Sequence, residues 1–519
     1  MTLYDSVSVT RPTLLSFLLS GLSVVLYNLR TIKFGLDQPL EIWPLALICV
    51  CPMIASQEYQ RSLLVSLATF MACSAIFFWT IGLEWYIGLG TGAVWGALWD
   101  TMDSADAYLF DDESNLSKPV RRAAYWTTIV YATALLLGTF FALSTPFHDA
   151  PMLIQPISFL GLYSLEFSVF AVNAALGQIA FSRQRKALFK FLFWGMAGWC
   201  CLSVIQFYVP RIYRAPSVTV ATITPGAELG GVSCNMSLVE TYEKDATCNA
   251  TLERQIDLTR KVATQDGAKF VVWPEIWLGP FKSFTEAEDY VDSKISPVAG
   301  ELGIFMSVGA LVGESGNIAV MVGPEGKRLG VYGKQKPLTL IGEESSLRFG
   351  YPTYEIPQSS LLGPNVSATG KVGTLICYDI DFPSTLRSIV LQGAGLVLNP
   401  SQDWSAVRDH LSQAVFRAVE NRVAIAKADL AWDSVIVDPS GRKKARFQSR
   451  NERENVLVAT VELGNGKPTG ATVSGDFVPL ICVAFAFFVL AASVRKWYSI
   501  RGRRQLYAPD GDYGTLLPA

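Results

Sequence analysis

Three short segments hold side chains suited to acyl chemistry. Phe270-Val-Val-Trp-Pro-Glu275 reads as an apolar strand that stops at a proline and presents a carboxylate. Val331-Tyr-Gly-Lys334 places a lysine after a Gly-Pro-Glu-Gly turn (Gly323–Gly326) and ahead of Gly342-Glu343. Leu375-Ile-Cys377-Tyr-Asp379 places a thiol at the end of the strand-like run Val372–Ile376. A thiol is only partly ionised at neutral pH, so as a nucleophile it needs a base or a nearby cation. Glu275 in an apolar pocket suits the base. Lys334 suits a donor to the thiolate and to the oxyanion of a tetrahedral intermediate, with the backbone N–H after Cys377 as a second donor. Attack by Cys377 on an acyl carbonyl gives a thioester that an amine or water resolves, so ping-pong kinetics are expected. Each segment alone occurs by chance, and a lone thiol at a strand end is equally compatible with a buried structural cysteine.

Composition narrows the alternatives. The chain has 519 residues and only two histidines, His148 and His410, so multi-histidine metal sites and most histidine-based triads lack their parts. Neither a metal nor a cofactor is expected, and His410 reads as structural. A formal net charge of −2 gives no electrostatic case for nucleic acid. Charged residues make up 17% of the chain, against about 25% in ordinary globular proteins.

The elements that must position the three segments lie in residues 211–475. Short β-branched runs (Val218–Thr224, Phe270–Trp273, Val372–Ile376, Gly395–Asn399, Val423–Ala428, Ser434–Val437) alternate with helical patterns such as Thr251–Thr264 and Asp409–Glu420. That alternation predicts one α/β domain.

On either side the chain is apolar. Uncharged runs cover Pro12–Leu29, Ser62–Leu83, Ala123–Phe147, Phe191–Val209 and Phe477–Val494, each close to the ~20 residues a helix needs to cross hydrocarbon. Ile42–Ser56 and Trp85–Trp99 are shorter and carry prolines or several glycines, and Pro151–Ser182 holds one more candidate in its second half. The expectation is a membrane domain of about seven spans over residues 1–210, a last span at 476–494 and a basic tail at 495–519. With the N-terminus in the cytoplasm, cytoplasmic segments carry fourteen basic residues against two, Arg30 and Lys33, on the opposite short loops. Positive charge favours the cytoplasmic side, so residues 211–475 are expected outside it and both termini inside. The first run lacks a small-residue cleavage site and does not read as a cleaved signal.

That compartment bears on other residues. Cys234 and Cys248 are plausible disulfide partners outside the cytoplasm, which leaves Cys377 as the domain's single thiol. Sequons at Asn235, Asn249 and Asn365 fall on the outer domain and fit glycosylation in a secretory pathway; a fourth, at Asn115, falls on a cytoplasmic loop. Glu166, inside an apolar run, is expected near a span's outer end, reaching headgroup water. Asp512-Tyr-Gly-Thr-Leu516-Leu517 resembles an acidic dileucine sorting signal.

A carboxylate, a lysine and a cysteine in this order on three strand ends resemble the nitrilase (carbon–nitrogen hydrolase) superfamily. The resemblance extends to Asn399-Pro-Ser-Gln-Asp-Trp404, to the helix from His410 through Arg417 and Glu420 to Arg422, and to the Asp438-Pro-Ser-Gly441 turn. It implies an αββα sandwich with Glu275, Lys334 and Cys377 as its triad. Glu343 falls where the family carries another active-site carboxylate. Tyr378 and Asp379 match its aromatic and acidic pair after the nucleophile, although Asp379 stands where the acyltransferases usually have Glu. Spacing to Gly-Glu differs by one position, which leaves Lys336 as the alternative to Lys334. Such a domain inserted between seven spans and one span resembles the apolipoprotein N-acyltransferases. The activity this implies is transfer of an acyl chain from a membrane phospholipid to an amine-bearing, lipoprotein-like acceptor through a cysteine thioester. The alternatives are a membrane-tethered amidase acting on a small amide and a binding scaffold without activity.

Overall fold

The computed structural model describes residues 13–32, 40–80, 84–110, 116–139, 141–208, 216–224, 246–313, 316–337, 349–357, 370–403, 407–430, 432–448 and 454–506. The N-terminal unit is helical: α1 (Leu14–Leu29), α2 (Trp43–Ala46), α3 (Cys51–Tyr59), α4 (Leu63–Thr80), α5 (Trp85–Phe110), α6 (Lys118–Leu137), α7 (Ile157–Leu160), α8 (Leu162–Ile179) and α9 (Arg185–Tyr208), with a two-stranded pair, β1 (Thr31–Ile32) and β2 (Leu40–Glu41), after α1. Thr13 caps α1, its side chain accepting from Ser16 N. Among the described residues, Leu63–Thr80, Arg185–Tyr208 and Phe477–Arg501 are long and apolar enough to cross a membrane.

Two apolar segments differ from the simple span pattern. Ile42–Ser56 is broken into α2 and α3, each starting with a proline in its first turn, and each too short to span alone. The glycine-rich Trp85–Trp99 segment is part of a 26-residue helix. Gly88, Gly92 and Gly96 pack tightly against α4: a Cβ on Gly92 would lie 2.4 Å from the Phe70 carbonyl oxygen. The run Ala123–Phe147 is helical only as far as Leu137, and its end forms a 3-10 turn, Thr145–Asp149.

Glu166 corrects an expectation. It is fully buried rather than at headgroup water. Its carboxylate accepts from Trp126 Nε1 at 2.7 Å, Leu143 N at 3.0 Å and Ser144 N at 2.9 Å, so it satisfies the backbone where the chain turns after α6.

The second unit is built on two sheets. Its strands are β3 (Ser217–Thr224), β4 (Phe270–Val272), β5 (Leu278–Phe281), β6 (Phe305–Val312), β7 (Gly316–Val322), β8 (Arg328–Gly333), β9 (Thr353–Glu355), β10 (Lys371–Thr374), β11 (Ala394–Ser401), β12 (Ala424–Asp429), β13 (Asp433–Val437), β14 (Lys443–Gln448) and β15 (Asn455–Glu462). One sheet runs β15-β3-β4-β6-β7-β8 with β5 beside β6, and the other β14-β13-β12-β11-β10-β9. The central strands β3-β4-β6 and β10-β11-β12 are parallel, and the outer pairs are antiparallel. Buried Val220, Phe270, Val272 and Phe305 of the first sheet meet Val372, Leu396, Leu398 and Ala426 of the second in one apolar layer. Helices α10 (Ala246–Thr264), α11 (Phe284–Lys294) and α12 (Ser296–Leu302) cover the first sheet's outer face. Helices α13 (Pro383–Val390) and α14 (Val407–Asn421) cover the second. The result is an αββα sandwich. After it come α15 (Gly470–Ser474) and the 30-residue α16 (Phe477–Leu506).

The helical unit and the sandwich share a core. Leu411, Ala414 and Val415 of α14 cluster with Ile129, Phe141 and Phe170 of the helical unit. Polar ties surround that contact: Leu162 N donates to Glu420 Oε1 at 2.9 Å, Arg422 Nη1 to Gln155 Oε1 at 2.6 Å, and Arg387 pairs with Asp476 at 2.6 Å. Thr139, just past α6, donates through its N at 3.1 Å and Oγ1 at 2.8 Å to the carbonyl of Asp381. Gly138 lies so close that an added Cβ would be 2.7 Å from Asp381 Cβ. The turn that carries Cys377 is therefore seated on the end of α6.

Candidate active site

Parallel strands gather the functional groups at their carboxyl ends, where such sheets place their sites. Glu275 lies three residues beyond β4, Lys334 one beyond β8, and Cys377 three beyond β10. Glu275 and Lys334 form an ion pair at 2.9 Å, each side chain 3% exposed. Gly309 of β6 makes room for this loop: a Cβ there would sit 2.2 Å from the Pro274 carbonyl oxygen. Asn317 Nδ2 also donates to Glu275 Oε1 at 2.7 Å, and Gln402 N to Oε2 at 2.8 Å. A carboxylate offers about four acceptor positions. Three are filled, so one is left for a proton.

Cys377 opens a 3-10 turn, Cys377–Asp381, with φ +45°, a region L-residues rarely adopt. Its N–H donates to Asn399 Oδ1 at 2.8 Å, which holds that conformation. The Sγ donates to Asp403 Oδ1 at 3.5 Å. Burial pushes the thiol well above its ordinary pKa, the Glu275 charge raises it further, and the Lys334 charge opposes both. Cys377 therefore rests as a thiol, within the fields of a carboxylate and an ammonium.

The residues after the nucleophile tie it to the lysine segment. Asp379 is fully buried and accepts from Tyr332 Oη at 2.7 Å, Lys336 N at 2.7 Å, Gln335 N at 3.1 Å and Ile376 N at 3.3 Å. Burial lifts its pKa to about 6 against the Tyr332 bond and the Lys334 charge. Tyr378 packs edge-on against Phe382 and His410, with ring centroids 5.1 and 5.8 Å away. His410 pairs with Asp381 at 2.7 Å. Burial disfavours its cation, yet Asp381 and Asp403 outweigh that and raise it to about 9.

Residue-type reasoning assigned no role to Asn317, Asn399, Asp403 or Lys427. Asp403 Oδ2 is 2.5 Å from Lys427 Nζ, and Lys427 also pairs with Asp429. The signal was there: β12 reads Ala-Ile-Ala-Lys427-Ala-Asp429, and two charges in a wholly buried strand demand partners. Lys336 stands over the Phe382 ring at 4.9 Å instead of at Glu275. Glu343, Cys234, Asn235 and Asn365 lie outside the described residues. Cys248 and Asn249 fall in the first turn of α10, with side chains outside the description. No group of metal ligands occurs among the described residues.

Residues 233–470 match the carbon-nitrogen hydrolase family. Over this stretch, a little under half of its length, the chain is similar to carbon–nitrogen hydrolases. Its similarity to an apolipoprotein N-acyltransferase from Geobacter metallireducens runs far beyond that domain: 26% identity over 92% of this chain and 95% of the relative. An apolipoprotein N-acyltransferase from Shewanella oneidensis is 24% identical over 83% of this chain and 80% of its own. A nitrilase from Pyrococcus abyssi is 28% identical but covers only 39% of this chain, against 80% of its own. Nitrilase-superfamily likeness alone thus accounts for the sandwich, whereas likeness to the acyltransferases takes in the helical unit as well.

Proposed function

We propose that the chain is a membrane-bound N-acyltransferase that moves an acyl chain from a phospholipid to an amine-bearing acceptor through a thioester on Cys377. The observation that carries this reading is the seat of the nucleophile: the turn Cys377–Asp381 rests on the end of α6, where Thr139 donates twice to Asp381. A soluble amidase needs no such platform. An enzyme that takes its acyl group from a bilayer does.

In the first half-reaction Glu275 takes the thiol proton, Cys377 attacks the ester carbonyl, and Lys334 with the N–H of Tyr378 holds the oxyanion. Glu275 then protonates the departing alcohol. In the second, an amine attacks the thioester and Glu275 returns a proton to sulfur. Asp379 holds the nucleophile turn against the lysine segment, Tyr378 packs that turn on Phe382 and His410, and Glu343 is the further carboxylate of the site.

In this reading residues 211–475 face away from the cytoplasm, between a membrane domain at 1–210 and a last span at 476–494, with the 495–519 tail inside. The excess of basic residues on the cytoplasmic loops supports it. Several of them are neutralised in place, Arg122 by Asp103 and Glu58 and Arg121 by Asp106, but acidic residues contribute little to the orientation rule. A Cys234–Cys248 disulfide and glycans at Asn235, Asn249 and Asn365 belong to that compartment.

The test is a hydroxylamine-sensitive adduct. The purified protein, given phospholipid labelled in its acyl chain, should acquire label on Cys377, and an added primary amine should release it faster than water does. A chain that takes no label from phospholipid, yet hydrolyses small amides in a Cys377-dependent way, is an amidase and not the proposed transferase.

A further inference from the structure

Beside the nucleophile lies a second buried carboxylate with no part in the steps above. Asp403 Oδ1 accepts from Cys377 Sγ at 3.5 Å and from Ser401 Oγ at 2.9 Å. Its Oδ2 accepts from Lys427 Nζ at 2.5 Å. Lys427 is itself fixed by Asp429 and by the Asp433 carbonyl at 3.2 Å. All of these side chains are buried.

We propose that Asp403 is a second catalytic carboxylate: in the resting enzyme it takes the hydrogen bond of the Cys377 thiol, and in the acyl-enzyme the same oxygen receives an N–H of the acceptor amine and so favours transfer over hydrolysis. The second half rests on the acyl-transfer reading.

The argument is one of donors and acceptors. A thiol has a hydrogen to give, and a thioester sulfur has none. Acylation of Cys377 therefore strips Asp403 Oδ1 of one of its two donors, and a buried acceptor without its donor is costly. Whatever approaches the thioester with an N–H or O–H can restore it. A carboxylate rewards a cationic donor more than a neutral one, so an acceptor that arrives as an ammonium is drawn in ahead of water. The site is built to keep that charge. Burial alone would raise Asp403, but the Lys427 and His410 charges override it and hold the carboxyl below its usual range. Asp403, Asp429 and Lys427 together also leave a net negative charge beside the sulfur.

The step balances. The ammonium releases one proton to bulk water, and the neutral amine nitrogen bonds to the thioester carbon. As the C–S bond breaks, the amine's second proton passes through Glu275 to Sγ. The thiol then returns its hydrogen bond to Asp403. No oxidant or reductant enters.

The test uses full-length protein in phospholipid nanodiscs whose lipid carries a labelled acyl chain. A dipeptide with a free N-terminus is added, and the ratio of N-acyl peptide to free fatty acid is read for wild type, Asp403→Asn and Asp403→Glu. Asp403→Asn keeps the side chain's size and leaves Lys427 its bond to Asp429. It should lower the ratio at least about tenfold, the loss expected when a charged hydrogen bond becomes a neutral one. Alkylation of resting Cys377 by iodoacetamide at neutral pH should quicken severalfold in the same variant, because a negative charge that opposed the thiolate has gone. Asp403→Glu, which moves the charge by a methylene and guards against a folding defect in Asp403→Asn, should lose transfer while its thiol stays slow. A wild-type ratio in Asp403→Asn overturns the amine role, and unchanged alkylation overturns the resting contact. If wild type forms no acyl-enzyme from phospholipid, the transfer reading falls and takes the amine role with it, and the alkylation rates still decide the resting contact.

Discussion

In the second half of α5, Asp103 accepts from Arg122 Nε at 2.8 Å and from Arg61 Nη2 at 2.7 Å, and Asp106 from Arg121 Nε at 2.6 Å and Tyr125 Oη at 2.6 Å. Around Cys377 the sandwich also buries charge, but the arrangement differs. Glu275, like Asp103 and Asp106, takes three donors, but beside it stands a thiol with one proton to give, which Cys377 donates to Asp403. Where carboxylates meet arginines that keep their protons, as in α5, a buried ion pair staples helices together. Where a thiol that can lose its proton stands among the charges, the same chemistry becomes reactive. Burial and charge are common to both regions, and the thiol separates them.

Glu275→Gln and Lys334→Ala probe the side that holds the thiol and should give the largest effects. The Gln variant removes the carboxylate proposed as the base, and acyl-enzyme formation from phospholipid should become undetectable in a labelling assay. Loss of the Lys334 ammonium should slow it at least about a hundredfold, the size expected for an oxyanion donor. Each variant breaks a buried ion pair, so some stability goes too. The comparison holds if the rate loss far exceeds what reduced folding explains, as read from unfolding in detergent alongside the kinetics.

Arg122→Met probes the side without a thiol. It removes the guanidinium that Asp103 and Glu58 share, leaving them Arg61 and Lys118, and should cost about 1–3 kcal/mol of unfolding free energy. Alkylation of Cys377 in the still-folded fraction should match wild type. A slowed or quickened thiol in this variant would break the division between the two regions.

How much of this was legible in the residues follows the same division. Glu275, Lys334 and Cys377 could be read because each ends an apolar run, and strand ends are where chemistry projects. The two-sheet sandwich followed from resemblance more than from periodicity, since its core strands are buried on both faces and do not alternate. Asp403 escaped notice because its meaning lies in a contact with a neighbouring strand, which no local pattern encodes, whereas Lys427 carried a signal as a charge inside an apolar strand. Glu166 was misread for a similar reason. Its three donors come from α6 and the turn after it, and an apolar run gives no sign of them. Asp100 to Asp106 hid the length of α5, since acidic residues look like the end of a span until their arginine partners, on other helices, are seen.

His410 lies between the two cases, an ion pair with Asp381 at the base of the nucleophile turn. Its folded pKa, raised to about 9, exceeds the ordinary value near 6.5. The stability it contributes is therefore fully present below about pH 6.5 and is lost as pH rises through about 9. Linkage sets the size on the order of 3 kcal/mol. Comparing unfolding of wild type and His410→Asn at pH 6 and pH 9.5 isolates it: the gap between the two proteins should be wide at the lower pH and close at the higher. A gap that stays constant with pH would mean that His410 serves through packing on Tyr378 rather than through charge.

Lys336→Ala should have the smallest effect, and it sharpens the line between reactive and structural charge at closest range. Lys336 is two residues from Lys334, and spacing alone made it the rival for the oxyanion role. The structure separates the two by direction. Lys334 Nζ meets Glu275 at 2.9 Å, while Lys336 lays its ammonium over the Phe382 ring at 4.9 Å. A cation over an aromatic face contributes roughly 0.5–2 kcal/mol, depending on its exposure. The part of Lys336 that bears on the site is its backbone N–H, bonded to Asp379 at 2.7 Å, and alanine keeps that bond. Lys336→Ala should therefore cost about 1 kcal/mol of stability at most and change acyl-enzyme formation less than about threefold. A hundredfold loss here, with Lys334→Ala mild, would transfer the oxyanion role to Lys336.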